Sequence, residues 1–419
     1  MTATRWRYET TLLVVLGLMF GIVFFDRNAM SYLAPFVAKD LGLSNTQIGM
    51  LASALSLTWA LSAFAVAAYS DATGRRKSVL VTCIVIFSFC SLGSGLAMSF
   101  TMLAGSRLLM GLSEGGILPI SQSLLAAESS DKRRGLNMGV MQNFGSNILG
   151  SFAAPLILVA VANTWNWRAA FYVAAIPGLI CAALVARYVR EPARDAGPRA
   201  TSADTPAAPA RVAASNEHRQ SIPVAEMLSQ RNMWICVLLS CVMVAWMVLG
   251  WTFLPVYYVN ARGISPSAMS VLMSLLGISA AVFSFIVSGL SDRLGRKPVM
   301  IAFCAIGALV PLAALHYHGP LAILGTLVFI GWSASGVFPI FMATIPSETI
   351  SVRHVATATG VVVGIGEITG GFLSPTLAGR AADAYGLQAP MLIMIGCTVV
   401  ATVLALFLRE TAPARTAGH

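Results

Sequence analysis

The sequence predicts an all-α membrane protein: twelve transmembrane helices arranged as two pseudo-symmetric six-helix bundles. Three observations lead there. Of 419 residues, 57% are apolar and only 11% charged, with a mean hydropathy of +0.77, whereas a soluble globular chain carries about 25% charged residues. The apolar residues come in runs of about 20, enough to cross a hydrocarbon core as a helix, without the short alternating segments of a membrane barrel. The chain also aligns with itself at an offset of roughly 220 residues. The first observation alone excludes soluble enzymes, disordered chains and secreted disulfide scaffolds.

Polar, Gly or Pro punctuation bounds the runs. The first six are expected at 10–38, 45–70, 78–99, 101–128, 134–162 and 168–188. The second six are expected at 232–259, 265–290, 297–316, 319–347, 354–380 and 388–408. Ser44 and Ser265-Pro266 read as N-caps of the second and eighth helices. The first run continues past Asp26-Arg27 with no small-residue cleavage site ahead of that pair, so it is expected to persist as an uncleaved span. An Ala/Pro/Arg-rich stretch, 191–231, divides the chain into an N-terminal bundle (1–190) and a C-terminal bundle (232–419). Ile222–Trp234 is expected to lead into the seventh span as a short interfacial helix. The aromatic run from Trp165 to Arg168 is expected to anchor the outer interface.

The net charge of +10 could suggest a nucleic-acid partner, but its placement argues otherwise. With the N-terminus inside, 21 of the 27 Lys and Arg fall on the cytoplasmic side and four on the other, and only Arg27 and Arg107 lie within spans. The charge is therefore a topology signal that puts both termini in the cytoplasm. The seven Cys show no CxxC spacing, and there is no Walker loop or HExxH. No enzyme activity, catalytic residue, metal or cofactor is expected.

The self-alignment is detailed. Gly42-Leu43-Ser44 meets Gly263-Ile264-Ser265, Gly111 and Gly116 meet Gly331 and Gly336, and Pro155 meets Pro375. A duplicated six-helix unit is the architecture of carriers that rock two bundles about a central site. The loops Asp71-Ala72-Thr73-Gly74-Arg75-Arg76 and Asp292-Arg293-Leu294-Gly295-Arg296-Lys297 resemble the D-x-x-G-R-[RK] signature of the major facilitator superfamily. Ala67 and Ser288 stand where the fuller pattern has Gly. Gly74 and Gly295 permit tight turns. The charged residues of the two loops are expected to pair with helix ends, Glu128 and Arg133 or Glu348 and Arg353, and so to latch the cytoplasmic side in one state.

Five charges lie inside spans: Asp26, Arg27, Arg107, Glu114 and Glu367. Each costs roughly 2.5–3.5 kcal/mol at mid-membrane on the lenient scale. Their repeat equivalents are Trp246, Met247, Leu327, Ala334 and Asn147, so these charges are not duplicated with the scaffold. That pattern favours function, although pairs such as Asp26–Arg107 or Arg27–Glu114 acting as helix glue are the competing account. Two Arg against Asp26 and Glu114 sum to zero, and a carboxylate substrate adds a negative charge that a low-dielectric site resists. Protonating one carboxylate restores neutrality, so anion and proton are expected to travel together. Asp26, Glu114 and Glu367 are the proton-coupling candidates, because desolvation disfavours their charged forms.

Phe24-Phe25-Asp26-Arg27 and Arg107-x6-Glu114 resemble the first and fourth helices of the anion:cation symporter branch of that superfamily. The resemblance implies that Arg27 binds the substrate carboxylate and that Asp26 and Glu114 handle protons. Arg107 becomes a second anion or coupling residue. Phe24 replaces a frequent Tyr and Glu367 has no counterpart, which allows a more apolar acid. Further lining candidates are Trp59, Gln142, Asn143, Asn147, Trp246, Trp251, Tyr257 and Tyr258.

The expected activity is proton-coupled uptake of a mono- or dicarboxylate, sugar acid or aromatic acid by alternating access. The proton gradient drives it without a cofactor, in a monomer in a bacterial cytoplasmic (inner) membrane. Proton-driven export of drugs or metabolites is the alternative. The fifth span reads Ser151-Phe152-Ala153-Ala154-Pro155 and lacks the Gly-rich run such exporters carry, which weighs against it.

Overall fold

Lipid offers no partner to a peptide group, so each apolar run satisfies its backbone internally as a helix. The computed structural model describes residues 3–130, 133–191, 229–350 and 354–412. Six helices precede the linker: α1 Ala3–Leu41, α2 Asn45–Thr73, α3 Arg76–Gly95, α4 in two pieces (Phe100–Glu114 and Ile117–Glu128), α5 Asn137–Thr164 and α6 Trp167–Tyr188. Six follow it: α7 Arg231–Ala261, α8 Pro266–Leu294, α9 Arg296–His316, α10 Leu321–Thr349, α11 Thr357–Tyr385 and α12 Gln388–Leu406. Among the described residues eleven helices are long and apolar enough to span a bilayer. The remaining one, α4, is interrupted at Gly115-Gly116, next to Glu114. The linker 192–228 and the start of the helix expected at Ile222–Trp234 lie outside the described residues.

Both predicted caps form: Ser44 accepts from the Gln47 amide inside a capping box, and Ser265 accepts from the Ala268 amide. Gly42 and Gly263 take the same left-handed backbone, φ 62° and 63°, so the repeat extends to the turn after the first helix of each half. The expected α11 end at 380 falls short, because Arg380 and Asp383 resemble a loop in composition yet form the last turns of the helix. Of the outer aromatic run, Trp165 is exposed. Trp167 is instead 4% exposed, and its indole N–H donates to Asp40 at 3.0 Å beside the Arg168–Asp40 ion pair.

The helices of each repeat contact the other repeat reciprocally: α2 packs on α11, α5 packs on α8, and α1 crosses α7. An even number of spans puts both chain ends on one face, called here the terminal side. Between described residues, the hydrogen bonds that join 3–191 to 229–412 lie toward the opposite, far side. Asp383 accepts from Asn45 and Thr46, Ser53 pairs with Thr376 at 2.8 Å, and Asn163 donates to Ser267 at 3.2 Å. Ser274 donates to the Phe152 carbonyl at 2.9 Å. The halves are thus sealed together on the far side.

Candidate functional site: a charged cavity between the halves

A cavity of about 300 Å³ lies on the axis between the two repeats, with walls from α1, α2, α4, α5, α7, α8, α10 and α11. That volume sits at the small end of ligand pockets, about 300–1,000 Å³. Six of the sequence-predicted residues line it: Arg27, Trp59, Arg107, Asn147, Trp251 and Glu367.

Arg27 is the half-buried cation on the cavity wall. Its guanidinium lies 4.9 Å from the Trp59 ring and 5.7 Å from the Phe24 ring, and no side-chain hydrogen bond or ion pair holds it among the described residues. Two aromatic faces support the charge while its donors stay free, an arrangement suited to an incoming anion. Arg107 is 1% exposed and stacks over Phe171 at 5.4 Å. It reaches the Arg27 carbonyl at 3.5 Å and Met110 Sδ at 3.4 Å, while its Nε and second terminal nitrogen find no protein partner.

Asp26 and Glu114 do not reach the cavity surface. Both are buried, at 0% and 1% exposure. One Asp26 oxygen accepts from Ser91 at 2.5 Å, but its other oxygen and both Glu114 oxygens lack protein partners. Arg107 feels both carboxylates, and Glu114 also feels Arg27, through Coulombic interaction. Yet among the described residues none of the five intramembrane charges forms an ion pair; the pairs present are Arg76–Asp71, Arg168–Asp40, Arg296–Asp292 and Arg296–Glu348. The helix-glue pairs Asp26–Arg107 and Arg27–Glu114 are not made.

Five of the expected lining residues, Gln142, Asn143, Trp246, Tyr257 and Tyr258, do not line this cavity. Gln142 is held by Gln122, which donates to it at 3.3 Å, and Asn143 offers its carbonyl to Asn147. Tyr257 packs edge-on to Tyr258 in a π-helical turn at the far end of α7, away from the cavity. Trp246 is fully buried, stacked at 4.6 Å behind Trp332. The sequence reading missed Trp332 itself, which lines the cavity 5.1 Å from Trp251, together with Asn28, Ser56 and Ser335. Trp332 stands between the repeated Gly331 and Ser333, a signal that the repeat alignment contained.

The loop motifs act within a half. Gly74 ends α2 in the left-handed region and Gly295 turns at φ 106°. Arg296, its side chain 7% exposed, bridges Asp292 at 2.5 Å and Glu348 at 2.8 Å and takes Ser291 at 2.7 Å, all in the second repeat. In the first repeat Arg76 meets only Asp71, at 3.0 Å and exposed. Among the described residues Glu128 and Arg133 make no ion pair to that loop, and Arg353 lies outside the described residues. The expected pairing of the second loop with Glu348 is thus made, as a brace inside one half, while the first loop makes none with Glu128 among the described residues. Arg75 faces a lateral groove between α2, α3 and α4.

Glu191 and Glu410, repeat equivalents outside any recognised motif, tie the end of each bundle to the same loops. Glu191 caps the Lys77 and Ser78 amides, and Glu410 caps Arg296 and Lys297 at 2.7 and 3.1 Å.

Comparison with known proteins agrees with this architecture. The hexuronate transporter of Bacillus subtilis is 26% identical over 402 residues, covering 92% of this chain and 91% of the relative. The gallate transporter of Pseudomonas putida is 27% identical, covering 95% and 91%. Among solved structures, the inward-facing, unoccupied bacterial homologue of the human lysosomal transporter Spinster superimposes with a TM-score of 0.79 at 20% identity, covering 95% of this chain and 96% of that one. The family description of the Major Facilitator Superfamily matches residues 16–362 and, in a second match, 249–418. With the duplicated twelve-helix fold and the cavity between its halves, the chain belongs to the Major Facilitator Superfamily, and is a transporter and not an enzyme.

Proposed function

We propose that this transporter takes up small organic anions together with protons, with an aromatic acid as the best fit to its tryptophan walls. The carrying observation is the unpaired guanidinium of Arg27, presented to the cavity between two aromatic faces, with the carboxyl groups of Asp26 and Glu114 buried in the same half. The substrate carboxylate docks on Arg27 and its ring lies against Trp59, Trp251 and Trp332. Arg107, Asp26 and Glu114 form one electrostatic unit. An anion arriving at Arg27 withdraws that positive charge from Glu114 and leaves the buried site with surplus negative charge, which a proton on Asp26 or Glu114 removes.

The relatives named for hexuronate and gallate support an acid as cargo. With both termini cytoplasmic, a reading the Lys/Arg distribution supports, the sealed far side is the outer face. The repeats 1–190 and 232–419 then rock about the cavity as two bodies joined by 191–231.

The test is uptake into vesicles reconstituted with purified protein under an imposed proton gradient. Arg27→Ala and Arg107→Ala abolish uptake. Asp26→Asn and Glu114→Gln remove gradient-driven accumulation while exchange of labelled for unlabelled acid continues. Uptake indifferent to the gradient refutes the coupling.

A further inference from the structure

Positions 147 and 367 are equivalent in the two repeats, and both lie at the start of a π-helical segment, Asn147 second in Ser146–Ala153 of α5 and Glu367 first in Glu367–Leu373 of α11. Such turns displace one side chain from the regular helical stack and recur at functional sites. Here they deliver Asn147 and Glu367 to the same cavity, one from each half. The scaffold repeats the pose while the chemistry differs. Asn147 is engaged, its Nδ2 donating to the Asn143 carbonyl at 2.9 Å.

Glu367 hydrogen-bonds to nothing and pairs with no cation among the described residues. Its carboxyl lies over Gly371, where a Cβ would be 2.6 Å from Oε2. Arg27 acts on it through Coulombic interaction from the opposite half. Unlike Asp26 and Glu114, which stand behind the wall, Glu367 is part of the wall.

Resting on the carboxylate-carrier reading above, we propose that Glu367 recognises substrate. It accepts a hydrogen bond from a donor, hydroxyl or ammonium, on the part of the molecule remote from the carboxylate held by Arg27. The site is then ditopic, with a cation from the first half for the acid group and an acceptor from the second half for the donor. A substrate carrying both groups touches both repeats at once and gives them a shared contact during closure. An acid without the donor leaves a desolvated carboxyl unsatisfied and binds more weakly.

The experiment measures dissociation constants of benzoate, 3-hydroxybenzoate and 3-(aminomethyl)benzoate by calorimetry on the purified full chain and on Glu367→Ala, Glu367→Gln and Arg27→Ala. The unsubstituted protein prefers a donor-bearing acid over benzoate by about tenfold or more, the scale of one hydrogen bond to a charged group. Whichever of the two donor-bearing acids gains identifies hydroxyl or ammonium as the group read.

In Glu367→Ala the preference collapses. Glu367→Gln keeps an acceptor oxygen and retains part of a hydroxyl preference but none of an ammonium preference. The inference is overturned if the preference survives Glu367→Ala. It is equally overturned if the unsubstituted protein shows no preference while Arg27→Ala still abolishes benzoate binding; in that case the carboxylate reading stands. Failure of all three acids to bind overturns both.

Discussion

Asp383 tests whether the far-side seal is a gate. Its carboxylate accepts four hydrogen bonds from the first turn of α2: the Asn45 backbone N–H and Nδ2, both at 2.9 Å, the Thr46 backbone N–H at 2.8 Å and the Thr46 hydroxyl at 2.5 Å. A carboxylate at a helix N-terminus contributes as a cap, about 0.5–2 kcal/mol, and through the helix dipole, about 0.3–1 kcal/mol at the surface. Water rehydrates the exposed donors once the contact breaks, so about 1–2 kcal/mol net is the reasonable figure for the set.

Asp383 and α2 belong to different repeats, so this stabilisation exists only while the far side is closed. Its loss therefore moves the conformational equilibrium. Ser44 continues to cap α2 within its own half, which keeps the helix start intact.

Asp383→Ala is accordingly expected to raise the far-side-open population about 5- to 30-fold. The assay is alkylation by a membrane-impermeant maleimide at Ile48→Cys, a cavity-lining position 4% exposed in the closed form, in protein lacking its native cysteines. With opening fast relative to alkylation, the rate scales with the open population, and Asp383→Asn falls between the two. An alkylation rate unchanged by Asp383→Ala refutes the gate.

Two further outcomes follow from the loops on the terminal side. Glu348→Ala strips a two-pronged partner from the nearly buried Arg296 and is expected to cost about 1–3 kcal/mol in denaturation of the detergent-solubilised protein. Asp71→Ala, removing the exposed equivalent pair, costs about 0–1 kcal/mol; equal losses would show that the brace is not confined to the second repeat. Glu410 supplies the pH dependence. Burial pushes its carboxyl up, but four backbone N–H donors, from Ala412, Arg296, Lys297 and Thr411, outweigh that and hold it below its ordinary value of 4.5. A depressed carboxyl stabilises the fold above its unfolded value, and that contribution is lost as pH falls through the folded one. The melting-temperature deficit of Glu410→Gln should therefore stay constant from about pH 7 to 5 and shrink below about 4.5; a deficit independent of pH would contradict this.

Composition and periodicity were sufficient for the twelve spans, because the bilayer imposes length and self-satisfied hydrogen bonding on every segment locally. The duplication was equally legible, down to the paired glycines Gly42 and Gly263, since a backbone that needs a positive φ restricts the residue type at that position. The five intramembrane charges announced themselves through their desolvation cost. What they do to one another was not readable, because spacing along a helix says nothing of which groups a neighbouring helix interposes. Only packing buried Asp26 and Glu114 away from the cavity wall, left Arg27 and Glu367 on it, and turned Trp332 inward while burying Trp246. Asp383 looked like a loop residue and became the far-side clamp because α11 continues to meet α2. Helix formation is decided within a segment of chain, whereas a cavity is bounded by side chains from eight helices whose relative rotations arise only when the two halves pack.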